Sequence, residues 1–197
     1  MSRSRLAAVL AVVFLSCRPV AETASPSGWV LGAGFVPIEA TARIGAPADC
    51  GNGYFEARAN FVFASFLNVC TDVPDLCYSK ATATAVSVHI IRTGISTRPP
   101  LGPGTYLVGS TPETGGSLVV SAMAARSDAS CAITALSFAS AGTITIDSIG
   151  TTVRGRVDLA FPSGESFGGT FEALTCAGTY DSCTADVACA SPVTCVP

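Results

Sequence analysis

Between residues 152 and 161, Val153, Gly155, Val157, Leu159 and Phe161 alternate with Arg154, Arg156, Asp158 and Ala160. A period of two puts one set on each face of an extended chain, so this stretch specifies a strand with a buried and an exposed side. Three other runs repeat it. In 54–63, Phe55, Ala57, Ala59, Phe61 and Phe63 oppose Glu56, Arg58 and Asn60. In 85–92, Val86, Val88 and Ile90 oppose Ser87, His89 and Ile91. In 167–175, Phe167, Gly169, Phe171 and Ala173 oppose Gly168, Thr170 and Glu172. Weaker runs cover 105–109, 118–125, 132–138 and 143–149, and residues 29–37 suggest a first strand or a packed arm.

The links carry turn chemistry: Gly102-Pro103-Gly104, Thr114-Gly115-Gly116, Ala141-Gly142, Gly150 and Pro162-Ser163-Gly164. No ten-residue stretch beyond the N-terminal leader carries a capped helical period. The expected fold is all-β: an antiparallel up-and-down barrel or sandwich of about eight strands, stapled by disulfides. Closure of the sheet would remove both edges.

The N-terminus reads differently. Arg3 and Arg5 precede ten apolar residues, Leu6 to Leu15. Ten residues do not span a bilayer, which needs roughly 20, but they match the apolar region of a signal peptide. Leu15-Ser16-Cys17 follows and resembles a bacterial lipobox, in which the cysteine becomes the lipidated first residue. Phe14 and Leu15 depart from the preferred residues of that pattern. A plain signal peptide cleaved after Ala21 or Ala24 is the rival, and would leave a secreted chain. The expected organisation is a signal peptide over 1–16, a lipidated flexible tether over 17–27, a β domain over 28–176 and a cysteine-rich tail over 177–197. Arg18 after the lipobox cysteine points to the outer membrane, by similarity to enteric sorting rules.

The nine cysteines fit export. With Cys17 set aside, Cys50, Cys70, Cys77, Cys131, Cys176, Cys183, Cys189 and Cys195 form the even set that four disulfides require. Their spacings do not match structural zinc sites, and no C-x-x-C is present. Cys70 and Cys77 are close enough to clamp a local loop. In a closed up-and-down barrel the first and last strands are neighbours, which would bring Cys50 to Cys176. Cys131 would lie about 14 Å from Cys176, beyond disulfide reach.

Charge excludes other classes. Losing Arg3 and Arg5 takes the 11 bases to nine against 14 acids, so the net charge moves from −3 to −5. Lys80 is the only lysine, which excludes a polybasic lipid patch and a nucleic-acid phosphate track. The longest charge-free stretch of the mature chain, 129–146, contains seven Ser, Thr and Gly residues and reads as two short strands and a turn.

Candidate catalytic residues are few. His89 is the only histidine and lies mid-strand on the face opposite Val86 and Val88. Gly164-Glu165-Ser166-Phe167-Gly168 spells G-x-S-x-G, but a nucleophile elbow needs a following helix and a later histidine. It reads as a hairpin turn. Gly32-Ala33-Gly34 precedes no helix and is not a dinucleotide site. Thr111-Pro112-Glu113-Thr114-Gly115 reads as a turn. Asp72 with Asp75, and Asp181 with Asp186, lack the ligand density of a calcium loop. Glu165 and Glu172 could form a glycosidase pair on distance alone. No cofactor is expected.

Gly142-Thr143-Ile144-Thr145-Ile146, the run Val153 to Phe161, Gly169-Thr170-Phe171-Glu172-Ala173 and Cys176 resemble the closing β-meander of uncharacterised lipoproteins common in myxobacteria. The resemblance covers about 35 residues and the leader. It implies a β fold and an envelope location, and carries no functional residues across. The expected role is structural or binding rather than catalytic, in a protein held to the membrane by its N-terminal lipid. A small apolar-ligand carrier using a barrel interior, a hydrolase of unrecognised site, and an interaction module using the Cys70–Cys77 loop or the tail are the alternatives.

Overall fold

The computed structural model describes residues 25–72, 78–95, 101–177 and 194–197. The strands are β1 (Ser27–Val30), β2 (Ala33–Phe35), β3 (Glu39–Ile44), β4 (Ala48–Asp49), β5 (Tyr54–Ala64), β6 (Tyr78–Lys80), β7 (Thr84–Ile95), β8 (Gly104–Leu107), β9 (Gly109–Glu113), β10 (Gly116–Ser127), β11 (Ile133–Phe138), β12 (Ala141–Ser148), β13 (Thr152–Ala160), β14 (Ser166–Thr175) and β15 (Thr194–Val196). One short helix, α1 (Val69–Asp72), follows β5. Seven of the eight runs expected from alternation each fall on one strand, and 105–109 is divided between β8 and the start of β9, so the all-β class stands.

The strands form a nearly closed, barrel-like sheet whose main path runs β11-β10-β7-β5-β3-β14-β13-β12-β8. This is not an up-and-down order. β7 pairs directly with β10 across eleven registered residues, and β8 leaves the gap between them to pair with β12. β3 enters between β5 and β14, antiparallel to the first and parallel to the second. The first and last expected strands are therefore not neighbours.

Two bent segments join the ends of this path. In the first, Val108 donates to Gly142 O at 2.9 Å, continuing the β8–β12 pairing, while Gly109 already lies opposite Val120 of β10. In the second, Ala139 donates to Ala122 O and Ser140 to Ala160 O, both at 2.8 Å. Neighbouring residues of a strand present their hydrogen-bonding groups to opposite sides, so each segment passes from one edge of the sheet to the other without a loop. The stretch 129–146 contains the two strands expected of it. They do not form a hairpin, because β11 pairs with β10 and β12 with β13.

The inward set matches the alternation. Phe61, Phe63, Val86, Val88, Ile90, Ile144, Ile146, Val157, Leu159 and Phe167 are fully buried. Phe63 packs on Phe167 and Phe171 with ring centroids 5.3 and 5.4 Å apart, and Phe61 meets Phe171 at 5.7 Å. The small inward residues match these rings. A Cβ on Gly155 would lie 2.0 Å from Thr145 O and 2.8 Å from Phe171 Cζ, so the absent side chain is the space the Phe171 ring uses.

The disulfides correct two expectations. Cys176 bonds Cys70, with Cα atoms 5.3 Å apart, not Cys50, and Cys70 is therefore not clamped to Cys77. The inserted β3 is the reason. Cys176 N donates to Ala42 O, and the next residue, Arg43, donates through its guanidinium to Cys70 O at 3.0 Å. Both cysteines are held beside one strand. A second bridge joins Cys131 to Cys195 at a Cα separation of 5.5 Å. It pins β15, which pairs in parallel with β6, to the loop after β10. Cys50 is also disulfide-bonded. Cys17, Cys77, Cys183 and Cys189 lie outside the described residues, as do the leader and most of the tether.

Two outcomes follow. Non-reducing peptide mapping should recover Cys70–Cys176 and Cys131–Cys195, and a Cys50–Cys176 peptide would contradict the strand order. Phe171→Ala should cost about 3–5 kcal/mol in denaturant unfolding, since its buried ring packs against Phe61 and Phe63. A loss below about 1 kcal/mol would mean that the interior is not packed around it.

Candidate functional site

The outward face of β3, β5, β7 and β10 is less exposed than alternation alone implies. Glu56 and Asn60 occupy outward positions of β5, yet each is only 8% exposed. Register places a polar row across four strands: Arg43 opposite Asn60, Asn60 opposite His89, and His89 opposite Ser121. Directly opposed residues share a face with Cβ atoms about 4.5–5.5 Å apart. One turn of the pleat away, Arg58 bonds Glu56 in a largely buried ion pair.

Within this row the Asn60 side-chain oxygen is buried and has no hydrogen-bond partner. Most buried polar atoms are satisfied, and leaving one unmade typically costs about 1–3 kcal/mol. The group is an acceptor lacking a donor. Its neighbour His89 is half-buried, and burial pushes its pKa below the ordinary 6.5, with the Arg58 charge adding to the shift. The imidazole is thus neutral at pH 7 and offers one donor and one acceptor. The row sets side by side a guanidinium engaged with Cys70 O, a buried amide, a part-buried imidazole and the exposed Ser121 hydroxyl.

The residues singled out from the sequence do not converge. Ser166 is exposed at the start of β14, whereas His89 lies on β7, three strands around the sheet and, by register, level with the opposite end of β14. The G-x-S-x-G segment closes the β13–β14 hairpin, as expected: Gly164 donates to Phe161 O at 3.0 Å and Phe161 to Glu165 O at 2.9 Å. A strand follows it.

Glu165 and Glu172 do not form a pair. Seven residues along one strand hold them roughly 23 Å apart, well beyond glycosidase separations. Each has another task. Leu31 and Gly32 form the β1–β2 turn with φ of 53° and 74°, the left-handed geometry of a tight hairpin turn. Glu165 accepts hydrogen bonds from both of their N–H groups. The Gly32 N–H, then the Ser163 hydroxyl, then the Leu31 N–H hold its carboxyl below the usual carboxylate range. Glu172 accepts two bonds from Arg154, at 3.1 and 3.2 Å, which lower its pKa in the same way.

Among the described residues no group of three or more His, Cys, Asp and Glu side chains could hold a metal. Asp75, Asp181 and Asp186 lie outside those residues. Thr111-Pro112-Glu113 is strand β9 rather than part of a turn, which leaves only Thr114-Gly115 between β9 and β10. No described helix is long and apolar enough to cross a membrane.

A cleft of about 120 Å³ lies where β3 and β14 splay beyond their two registered pairs. Pro26, Pro37, Ile38, Ala40 and Phe171 line it. It is smaller than the roughly 300–1,000 Å³ of ordinary small-molecule sites. The small inward residues that suggest a carrier interior include Gly155, whose space is taken up by the Phe171 ring.

No protein-family model, curated protein or solved structure matches the chain. The residues of the outward row are not legible in the sequence as a group. His89 stands alone there, because Arg43, Asn60 and Ser121 join it only through the pairings β3–β5, β5–β7 and β7–β10. The one available signal is that Asn60 and His89 are both polar members of outward sets on strongly alternating strands.

His89 gives a pH signature. Unfolded, it titrates near 6.5; folded, it resists protonation. As pH falls below about 6.5 the unfolded chain binds a proton that the folded chain refuses, so stability present above that pH is progressively lost. Because His89 is the only histidine, thermal unfolding between about pH 6.5 and pH 5 isolates the effect. The wild type should lose stability relative to His89→Gln over that window, and parallel profiles would contradict the burial.

Proposed function

We propose that this chain is a lipid-anchored protein of the cell envelope, built from a tether fixed at Cys17 and a disulfide-stapled barrel that binds a polar partner on the β3–β5–β7–β10 face. The observation that carries the location is the oxidised state of the cysteines. Cys70–Cys176 and Cys131–Cys195 span 106 and 64 residues and, with bonded Cys50, fit an oxidising compartment. The leader supplies the route, and its lipobox-like Leu15-Ser16-Cys17 supplies the anchor. The likeness of the last strands to myxobacterial lipoproteins favours the envelope, and Arg18 after Cys17 favours the outer membrane.

The role we propose is binding or structural. Support comes from the row of Arg43, Asn60, His89 and Ser121 on one outward face, and from the separation of the motif-backed Ser166 from the only imidazole. A net charge of −5 with a single lysine argues against a nucleic-acid partner.

Fractionation tests the anchor. Wild-type protein should sediment with membranes, and Cys17→Ala should move it to the soluble fraction. A variant that stays in the pellet would overturn lipidation at Cys17.

A further inference from the structure

The chain contains one tryptophan, and it is exposed. Trp29 sits on the β1–β2 hairpin with 57% of its surface open, whereas Val30 and Phe35 on the other face are buried in the core. Val36 and Ile38, each 63% exposed, continue the outward side of the hairpin beyond β2. Gly28 opposes Phe35 and Trp29 opposes Gly34, so the same register extended places Val36 opposite Ser27, diagonal to Trp29. Ile38 is two residues further along and lines the same cleft as Ser25 and Pro26, where the tether enters the domain.

We infer that this stripe of Trp29, Val36 and Ile38 rests in the interfacial layer of a lipid bilayer. The inference depends on the lipid anchor proposed above, and its occupant is fixed by where that anchor lies. Cys17 is eight residues before Ser25, a reach of at most about 28 Å fully extended, so an anchored chain keeps the hairpin close to the membrane. Tryptophan, with an apolar body and one N–H, is the side chain enriched at that depth. The acids around the stripe are engaged in other bonds. Glu165 accepts from Leu31 and Gly32, Glu39 from Asn68 and Val69, and Glu172 from Arg154. A net charge of −5 selects a zwitterionic surface over an anionic one.

Trp29 reports on its own position, because no other tryptophan contributes to the emission. The full-length lipidated protein is reconstituted into phosphatidylcholine vesicles with and without brominated acyl chains, and flotation is measured in the same samples. Co-flotation with quenching of Trp29 by the brominated lipid is the expected result. Val36→Ser with Ile38→Ser, both exposed and outside the core, should retain flotation and lose most of the quenching. Flotation with unquenched Trp29 would overturn the inference and leave the anchor standing. Failure to float would overturn both. Unchanged quenching in the double variant would overturn the stripe as a contact surface.

Discussion

The barrel depends on a hydrogen-bond handover at two places. At Val108–Gly109 the chain stops bonding β12 and starts bonding β10, and at Ala139–Ser140 it passes from β10 to β13. A sheet of this length left open would present two rows of unpaired amides and carbonyls, an invitation to edge association. The handovers tie the ends together through continuous backbone and leave only short free edges. The register on either side of β12 sets Ile144 opposite both Tyr106 and Val157, within the buried cluster that also holds Ile146.

Within that frame the core is organised by aromatic rings and the small residues they face. Phe61, Phe63, Phe167 and Phe171 form a connected set, and Gly155 leaves room for the last of them. The disulfides act outside this core. Cys70–Cys176 ties α1 to the end of β14 beside β3, and Cys131–Cys195 ties β15 to the β10–β11 loop. Bridges over spans of this length restrict the unfolded chain most, typically contributing about 2–4 kcal/mol each. A domain with few charged residues and a modest aromatic content gains from both devices.

Alternation is local, so the strands are legible in the sequence. Seven of the eight expected runs each fall on one strand, the run 105–109 being divided between β8 and β9, and Val86, Val88, Ile90, Val153, Val157 and Leu159 face inward as their spacing implies. β3 is not legible. Its sequence Glu-Ala-Thr-Ala-Arg-Ile offers small residues at the junction with β14, and adjacent Thr41 and Ala42 are both buried, so no period of two appears. Without β3, Cys176 is given the wrong neighbour. Strand order is non-local, and that hides the outward polar row as well: with the strand at 105–109 expected between 85–92 and 118–125, Ser121 has no reason to face His89. Glu56 and Asn60 are buried at outward positions, Glu56 in its ion pair with Arg58, which no strand pattern encodes.

The surfaces left outside the core divide by chemistry. One face carries a polar row with an acceptor lacking a donor, and the hairpin nearest the tether carries exposed apolar side chains. Closure of the barrel is tested most directly by native-state hydrogen exchange followed by NMR. The amides of Val108, Ala139 and Ser140 should exchange as slowly as those of Phe61 and Val88 in the central strands. Exchange of these three at the rate of exposed loop amides, with the central strands still protected, would show an open sheet and contradict the account.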